Sequence, residues 1–422
     1  MRYEKNWAGN YTYGAVECHV PDNLDEVRER VAGSEKIKVL GSRHSFNGIA
    51  DTHATHLSME RMNRVLSLDR EHNRVTVEGG IRYGDLCTYL HEQGYALHNL
   101  ASLPHISVAG ACATATHGSG DAHGNLATAV YSLEIVKADG EVATFTRDEA
   151  DGEFFGAVVG LGALGVVTKL TLDVVPAFDM MQHVYEGLPL SEVQHNFEAI
   201  VASGYSVSLF SDWTDTTFNQ VWLKQTVPAG STSVPGVGQF HGAKLSEVNL
   251  HPVPGQEAEH CSEQCGIAGP WHERMPHFKM AFTPSAGEEL QSEYIVPREH
   301  ALSALEAIAS LRENIAPLLF TSELRTIAAD RLWLSPCYEQ DAVGFHFTWK
   351  PDWESVRQLL PEMEARLEPF RARPHWGKLF TMSPEKLQLY YPRLPEFRDL
   401  ARRCDQAGKF RNAYLDTYIF NV

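Results

Sequence analysis

Residues 37–47 read Ile37-Lys38-Val39-Leu40-Gly41-Ser42-Arg43-His44-Ser45-Phe46-Asn47, a short β-rich run opening into small polar residues around a histidine. Small residues after a strand let backbone N–H groups come close to a phosphate, and serine hydroxyls add donors. Alone, the stretch reads more readily as a tight turn. Two loops of the same character follow, Ala101-Ser102-Leu103-Pro104-His105-Ile106-Ser107-Val108-Ala109-Gly110 and Ala113-Thr114-Ala115-Thr116-His117-Gly118-Ser119-Gly120. Beyond them lies Leu161-Gly162-Ala163-Leu164-Gly165-Val166-Val167. A pyrophosphate brings roughly two negative charges into a partly buried site and needs several donors. Three such loops in one segment exceed what turns alone require. No GxGxxG follows the first strand and no Walker lysine loop is present, which sets aside a Rossmann NAD site and a P-loop.

Outward from these loops, the patterning predicts a helix over 21–31 with Asp22 as its N-cap, and strands over 37–40 and 74–78. A helix is predicted over 83–93, closed by Gly94. Strands over 132–137 and 141–145 flank Asp139-Gly140, a hairpin turn, and a β-rich run over 164–175 ends at Pro176. After about residue 176 strands are predicted over 206–210, 220–224, 294–297, 319–328 and 344–349, with helices over 300–314 and 353–367. Residues 227–255, rich in Pro, Gly and Ser, read as a long loop. The chain closes with a short polar helix and the stretch 410–420. This pattern is α+β with a second sheet, not a doubly wound parallel sheet.

The 422 residues suit two domains of ordinary size. Hydrophobic residues at 43% and charged residues at 21% give a globular composition, and the net charge of -18 repels nucleic acid and anionic membrane. No apolar leader opens the sequence, and the most apolar stretch, 154–167, is too short for a span of ~20 residues. A cytoplasmic monomer is expected. Seven scattered cysteines, with only Cys261 and Cys265 close together, read as reduced packing thiols. His53, His56, His117 and His123 read as loop residues without a carboxylate set, so no metal is expected.

The order GSRHSFN, ASLPHISVAG, ATATHGSG, GLGALGVVT resembles the vanillyl-alcohol oxidase flavoprotein family. Asn6-Trp7-Ala8-Gly9-Asn10 is similar to its sugar- and polyol-oxidising branch. Residues 272–274 (HER), 291–294 (QSEY), 322–325 (SELR), 346–349 (HFTW) and 375–378 (HWGK) are similar to alditol oxidases, also called xylitol oxidases. The resemblance covers nearly the whole chain and is weakest over 227–255. It implies a bipartite FAD-binding domain over 1–175, a substrate (cap) domain with a large antiparallel sheet over 176–380, and a returning segment over 381–422. In that segment Gln406 stands where a proline is common, a change confined to a turn.

The resemblance also implies roles. His44 would be bonded covalently to a flavin methyl group, although a histidine beside glycines also serves as a plain hydrogen-bond donor. Val39, Leu40, Gly41, Ser42, Arg43, Ser45, Ser102, Ser107, Gly110, Thr114, Ala115, Thr116, His117, Val166 and His375 would hold the FAD, with His117 on the pyrophosphate side. Arg43 replaces a common glycine, so an ordinary backbone conformation is expected there. Ser102, Glu323, Arg325, Thr348 and Lys378 would bind substrate. Glu323 and Arg325 lie two apart, as do His346 and Thr348, so on strands each pair shares a face; a solvated sheet face is the competing reading. Arg325 and Lys378 would stabilise alkoxide character, with His346, or a lysine of lowered pKa at 378, taking the proton. The implied reaction is hydride transfer from the terminal CH–OH of an alditol (xylitol, sorbitol or glycerol) to FAD and then to dioxygen, yielding an aldose and hydrogen peroxide. Small Ala101 leaves room for oxygen. The competing readings are an aldonolactone oxidase or dehydrogenase of the L-gulono-1,4-lactone type, a flavin-free carbohydrate-binding protein, and a metal-dependent enzyme.

Overall fold

Short alternating runs in residues 17–173 close into two small sheets. A computed structural model describes residues 4–149, 152–228, 230–280 and 288–421. Ile37–Leu40 pairs in parallel with Thr55–Ser58, which also pairs with Glu17–His19. The intervening helix, Leu24–Gly33, begins later than predicted. Asn23, not Asp22, is the N-cap: its side chain accepts from Glu26 N at 3.0 Å, while the Glu26 carboxylate accepts from Asp22 N. The reciprocal pair satisfies two amides that a start at Asp22 would leave open.

The second sheet is antiparallel, in the order Val65–Asp69, Arg74–Glu78, Val166–Asp173, Val130–Val136, Val142–Thr146. Its last two strands form the hairpin read from Asp139-Gly140. Strict alternation of buried and half-buried residues along Val166–Asp173 places it in the middle. Gly79 lies against this strand so tightly that a Cβ would sit 2.1 Å from Val167 O, which explains the glycine after Glu78.

Tyr95–Ala96 and Val175–Pro176 pair with each other, and the remaining strands build a ten-stranded antiparallel sheet. Its central run is Asp179–Pro189, Thr217–Val227, Ser206–Ser211, Leu319–Ile327, Ala342–Trp349 and Leu290–Pro297. Asp179–Pro189 and the helix Leu190–Val201 have no counterpart in the sequence reading. The strand is buried along most of its length, so it lacks the alternation that marks a half-exposed strand. Part of the stretch read as a loop over 227–255 joins the sheet edge as Gln239–Phe240 and Ala243–Leu245. His56, also read as a loop residue, lies in Thr55–Ser58 with Nε2 2.9 Å from Ala50 O.

One face of the large sheet is apolar. Leu209, Leu324, Tyr294, Val343, Phe345 and Phe347 pack there with residues of Leu190–Val201, Ala301–Ala309 and Trp353–Leu367. The opposite face carries Glu323, His346 and Glu293 in one row across three paired strands.

The C-terminal segment ties back to the first sheets. Lys409 Nζ donates to Val31 O and Ala138 O, and Asn412 Nδ2 donates to the carbonyls of Gly48, Ile49 and Asp51. Gln406 is exposed in a turn.

Candidate active site

The polar row faces a cavity that runs back to the first glycine-rich loop. Lys38, Gly41, His44 and Ser107 line one part of it, and Glu293, Arg325, His346 and Lys378 the other. The loops close around Ser107: a Cβ on either Gly41 or Gly110 would fall 2.7 Å from its Oγ. Ser107 N in turn donates to Ser42 Oγ. Of the expected cofactor residues, Val39, Leu40, Gly41, Ser42, Arg43, His44, Ser45, Ser102, Ser107, Gly110, Thr114, Thr116, His117 and His375 line the cavity. Such a wall of hydroxyls, glycines and backbone fits a dinucleotide diphosphate.

Ala115 and Val166 depart from this set, since neither lines the cavity. Ala115 is buried in the main core at a φ of 53°, and Val166 packs with Val136 and Phe410 while its neighbours Gly165 and Val167 face inward. Arg43 also departs from expectation. Its φ is 61°, the left-handed conformation that favours glycine. Trp7 N donates to Arg43 O, and the guanidinium donates to Lys5 O at 3.4 Å. Arg43→Gly is therefore expected to raise stability by about 1 kcal/mol. Chemical denaturation measures this; a loss of stability would show that the Lys5 contact outweighs the strain.

His44 is enclosed by Trp7, with ring centroids 4.3 Å apart, and by His105, whose Nε2 lies 3.3 Å from His44 Nδ1. Burial holds the His44 imidazole well below its ordinary range, and His105, Lys378 and His375 add to the effect. A neutral imidazole keeps a lone pair on one nitrogen, as a nucleophilic histidine needs.

At the opposite end, Glu293 collects the cations. Its Oε1 accepts from Arg325 Nη2 at 2.9 Å and lies 3.0 Å from His117 Nε2. Its Oε2 accepts from Lys378 Nζ at 2.6 Å. Burial would raise this carboxyl, but Lys378, His117 and Arg325 outweigh it and hold it well below the usual carboxylate range. Gly344, opposite Arg325 on the neighbouring strand, makes the crowding possible: a Cβ there would sit 3.3 Å from both Glu293 and His117. His117 thus points at the carboxylate cluster while it also lines the cavity.

Lys378 Nζ also donates to His346 Nδ1 at 2.8 Å, so the second ring nitrogen, 3.1 Å from Thr348 Oγ1, carries the proton. Burial, aided by Arg325 and opposed by Glu293, lowers Lys378 below the ordinary lysine range. His346 falls well below its own, through burial first and Lys378 second. Arg325 Nε is buried without a hydrogen-bond partner, the nearest carboxylate oxygen being Glu323 Oε2 at 3.5 Å. A buried donor of this kind, on a residue that lines the cavity, calls for a ligand oxygen. Glu323 and Thr348 stand just behind the wall. Glu323, Arg325, His346 and Thr348 are all buried, so the solvated-face reading is set aside.

Glu293 had a signal in the sequence, since Gln291 and Glu293 show the same two-residue spacing as Glu323 and Arg325. His277, which donates to Glu323, had none, because it follows no periodic element. Among the described residues no His, Cys, Asp and Glu cluster could hold a metal ion. No helix among them is long and apolar enough to cross a membrane.

An alditol oxidase of Streptomyces sp. (strain IKD472 / FERM P-14339) is 48% identical over 413 residues, 97% of this chain and 97% of that protein. The chain belongs to the alditol oxidase family. Residues 19–146 match the FAD binding domain family, and residues 283–418 match the family described as D-arabinono-1,4-lactone oxidase. L-Gulonolactone oxidase of Mus musculus is more distant, 28% identical across 99% of this chain and 98% of its own. Cholesterol oxidase from B. sterolicum shares the fold, with a TM-score of 0.79, 15% identity, and coverage of 98% and 96% of the two chains. With an FAD binding domain matched over residues 19–146, FAD is the cofactor, and the chain is an oxidoreductase.

Proposed function

We propose that the protein oxidises the terminal CH–OH of an open-chain alditol such as xylitol or sorbitol, with dioxygen as acceptor, yielding an aldose and hydrogen peroxide. The observation that carries this reading is one cavity lined by both the His44 loop and the Arg325–Glu293–Lys378 cluster. Bound FAD supplies the hydride acceptor and the route of electrons to oxygen. His44 is its covalent anchor, and residues 1–175 with 381–422 form the domain that holds it, beneath a cap over 176–380.

The polar wall suits an uncharged polyol. Arg325 donates to a substrate oxygen and Ser102 pairs a further hydroxyl, while Glu323 and Thr348 support the wall from behind. Arg325 and Lys378 stabilise negative charge as it develops on the reacting oxygen. The hydroxyl proton leaves through Lys378 and His346, which already share a hydrogen bond. Seven free cysteines, six of them buried, support a reducing, cytoplasmic setting, and the charge of -18 supports a dispersed monomer.

The test is acid denaturation of the purified protein followed by separation of free from bound flavin. Wild type is expected to keep its yellow colour on the polypeptide and His44→Ala to release it. Release from the wild type would end the covalent assignment. Peroxide formation from xylitol exceeding that from L-gulono-1,4-lactone is the expected substrate outcome, and the reverse order would favour the lactone reading. Turnover with an artificial dye but no peroxide in air would make the protein a dehydrogenase.

A further inference from the structure

Behind Arg325 a line of buried polar groups leads away from the cavity into the far half of the large sheet. His277 Nε2 donates to Glu323 Oε1 at 2.8 Å. On its other side His277 Nδ1 accepts from Lys224 Nζ at 3.3 Å. Lys224 is fully buried, and its ammonium also donates to Met275 O and to Pro276 O at 3.1 Å, so its three donors are spoken for. A carboxylate can only accept, which puts the ring proton on Nε2, toward Glu323, and leaves His277 Nδ1 as the acceptor. Trp222 and Phe210 pack against the imidazole at steep angles, with centroids 5.1 and 5.5 Å away, and hold its plane. Ser262 Oγ donates to Pro276 O and steadies the same turn. With Oε1 bound to His277, Glu323 presents Oε2 to Arg325 Nε.

We infer that Lys224 and His277 are positioning residues that set the orientation of Glu323 and, through it, of the Arg325 guanidinium facing the substrate. This rests on the polyol reading of the site. It gives a purpose to a lysine buried two strands away from Arg325 in the large sheet. Removing either residue frees Glu323 to turn and weakens the hold on substrate without touching it.

The test is a double-mutant cycle on FAD-loaded enzyme with xylitol. His277→Leu is expected to lower kcat/KM at least tenfold, mostly through KM, with flavin content unchanged. His277→Gln keeps a donor toward Glu323 and is expected to recover to within about threefold of wild type. In a Glu323→Gln background the His277→Leu loss is expected to shrink below about twofold, because the group it positions is already altered. Lys224→Met is expected to lower kcat/KM in wild type but not in His277→Leu. Unchanged kcat/KM in His277→Leu, or an undiminished loss in the Glu323→Gln background, overturns the inference. So does a His277→Gln variant that loses flavin or fails to recover, since that marks a purely structural role. If Glu323→Gln matches wild type, the role of Glu323 in binding fails together with the inference. If only the lactone is turned over, the alditol reading fails, and the same cycle on L-gulono-1,4-lactone decides the relay by itself.

Discussion

Lys378→Met is expected to reduce kcat on xylitol by about 10²–10³-fold, the scale for losing one preorganised stabiliser of developing negative charge. Lys378 Nζ stands between Glu293 at 2.6 Å and His346 at 2.8 Å, on the cavity wall. Methionine fills the space but offers no charge and no proton path. The measurement is steady-state kinetics at saturating oxygen with the flavin content of each preparation determined. Lys378→Arg separates charge from geometry: it retains the cation but cannot give up a proton, so it is expected to bind xylitol yet stay slow. A loss below tenfold in Lys378→Met would remove Lys378 from the chemistry.

The second large effect concerns stability. Glu293 is 1% exposed and is the shared counter-ion of Arg325 and Lys378. Glu293→Gln leaves the buried Arg325 and the half-buried Lys378 without this shared carboxylate, which is expected to cost about 3–5 kcal/mol. Guanidinium denaturation of equally flavin-loaded wild type and variant checks this, and a difference under 1 kcal/mol would contradict it. The sign with pH follows. The folded-state carboxyl titrates well below the unfolded value of about 4.3. Its contribution is therefore complete above that unfolded value and is lost only as pH falls toward the lower folded one. The gap between wild type and Glu293→Gln is expected to persist at neutral pH and to narrow in acid.

Much of this architecture was readable before any coordinates. Period-two spacing at Glu323 and Arg325, and at His346 and Thr348, put each pair on one strand face, and the structure sets those strands side by side. The glycine loops converge on one cavity as their composition required. Where the reading missed, the local signal was absent or opposed. Asp179–Pro189 is buried without alternation, so no periodicity betrays a strand. Arg43 adopts a conformation its own Cβ disfavours, because Trp7 and Lys5 hold it from across the loop. Ala115 lies within a run of small polar residues yet turns into the core.

Local composition and spacing determined many of the strands, which loops can cradle a phosphate, and which side chains share a face, since these depend on neighbours a few residues apart. The counter-ion was decided by the tertiary structure alone. Glu293 meets Lys378, Arg325 and His117 only because strands from distant parts of the chain pair in one register and Gly344 leaves the space between them. The energy of a buried charge depends on what surrounds it in three dimensions, and no stretch of sequence contains that information.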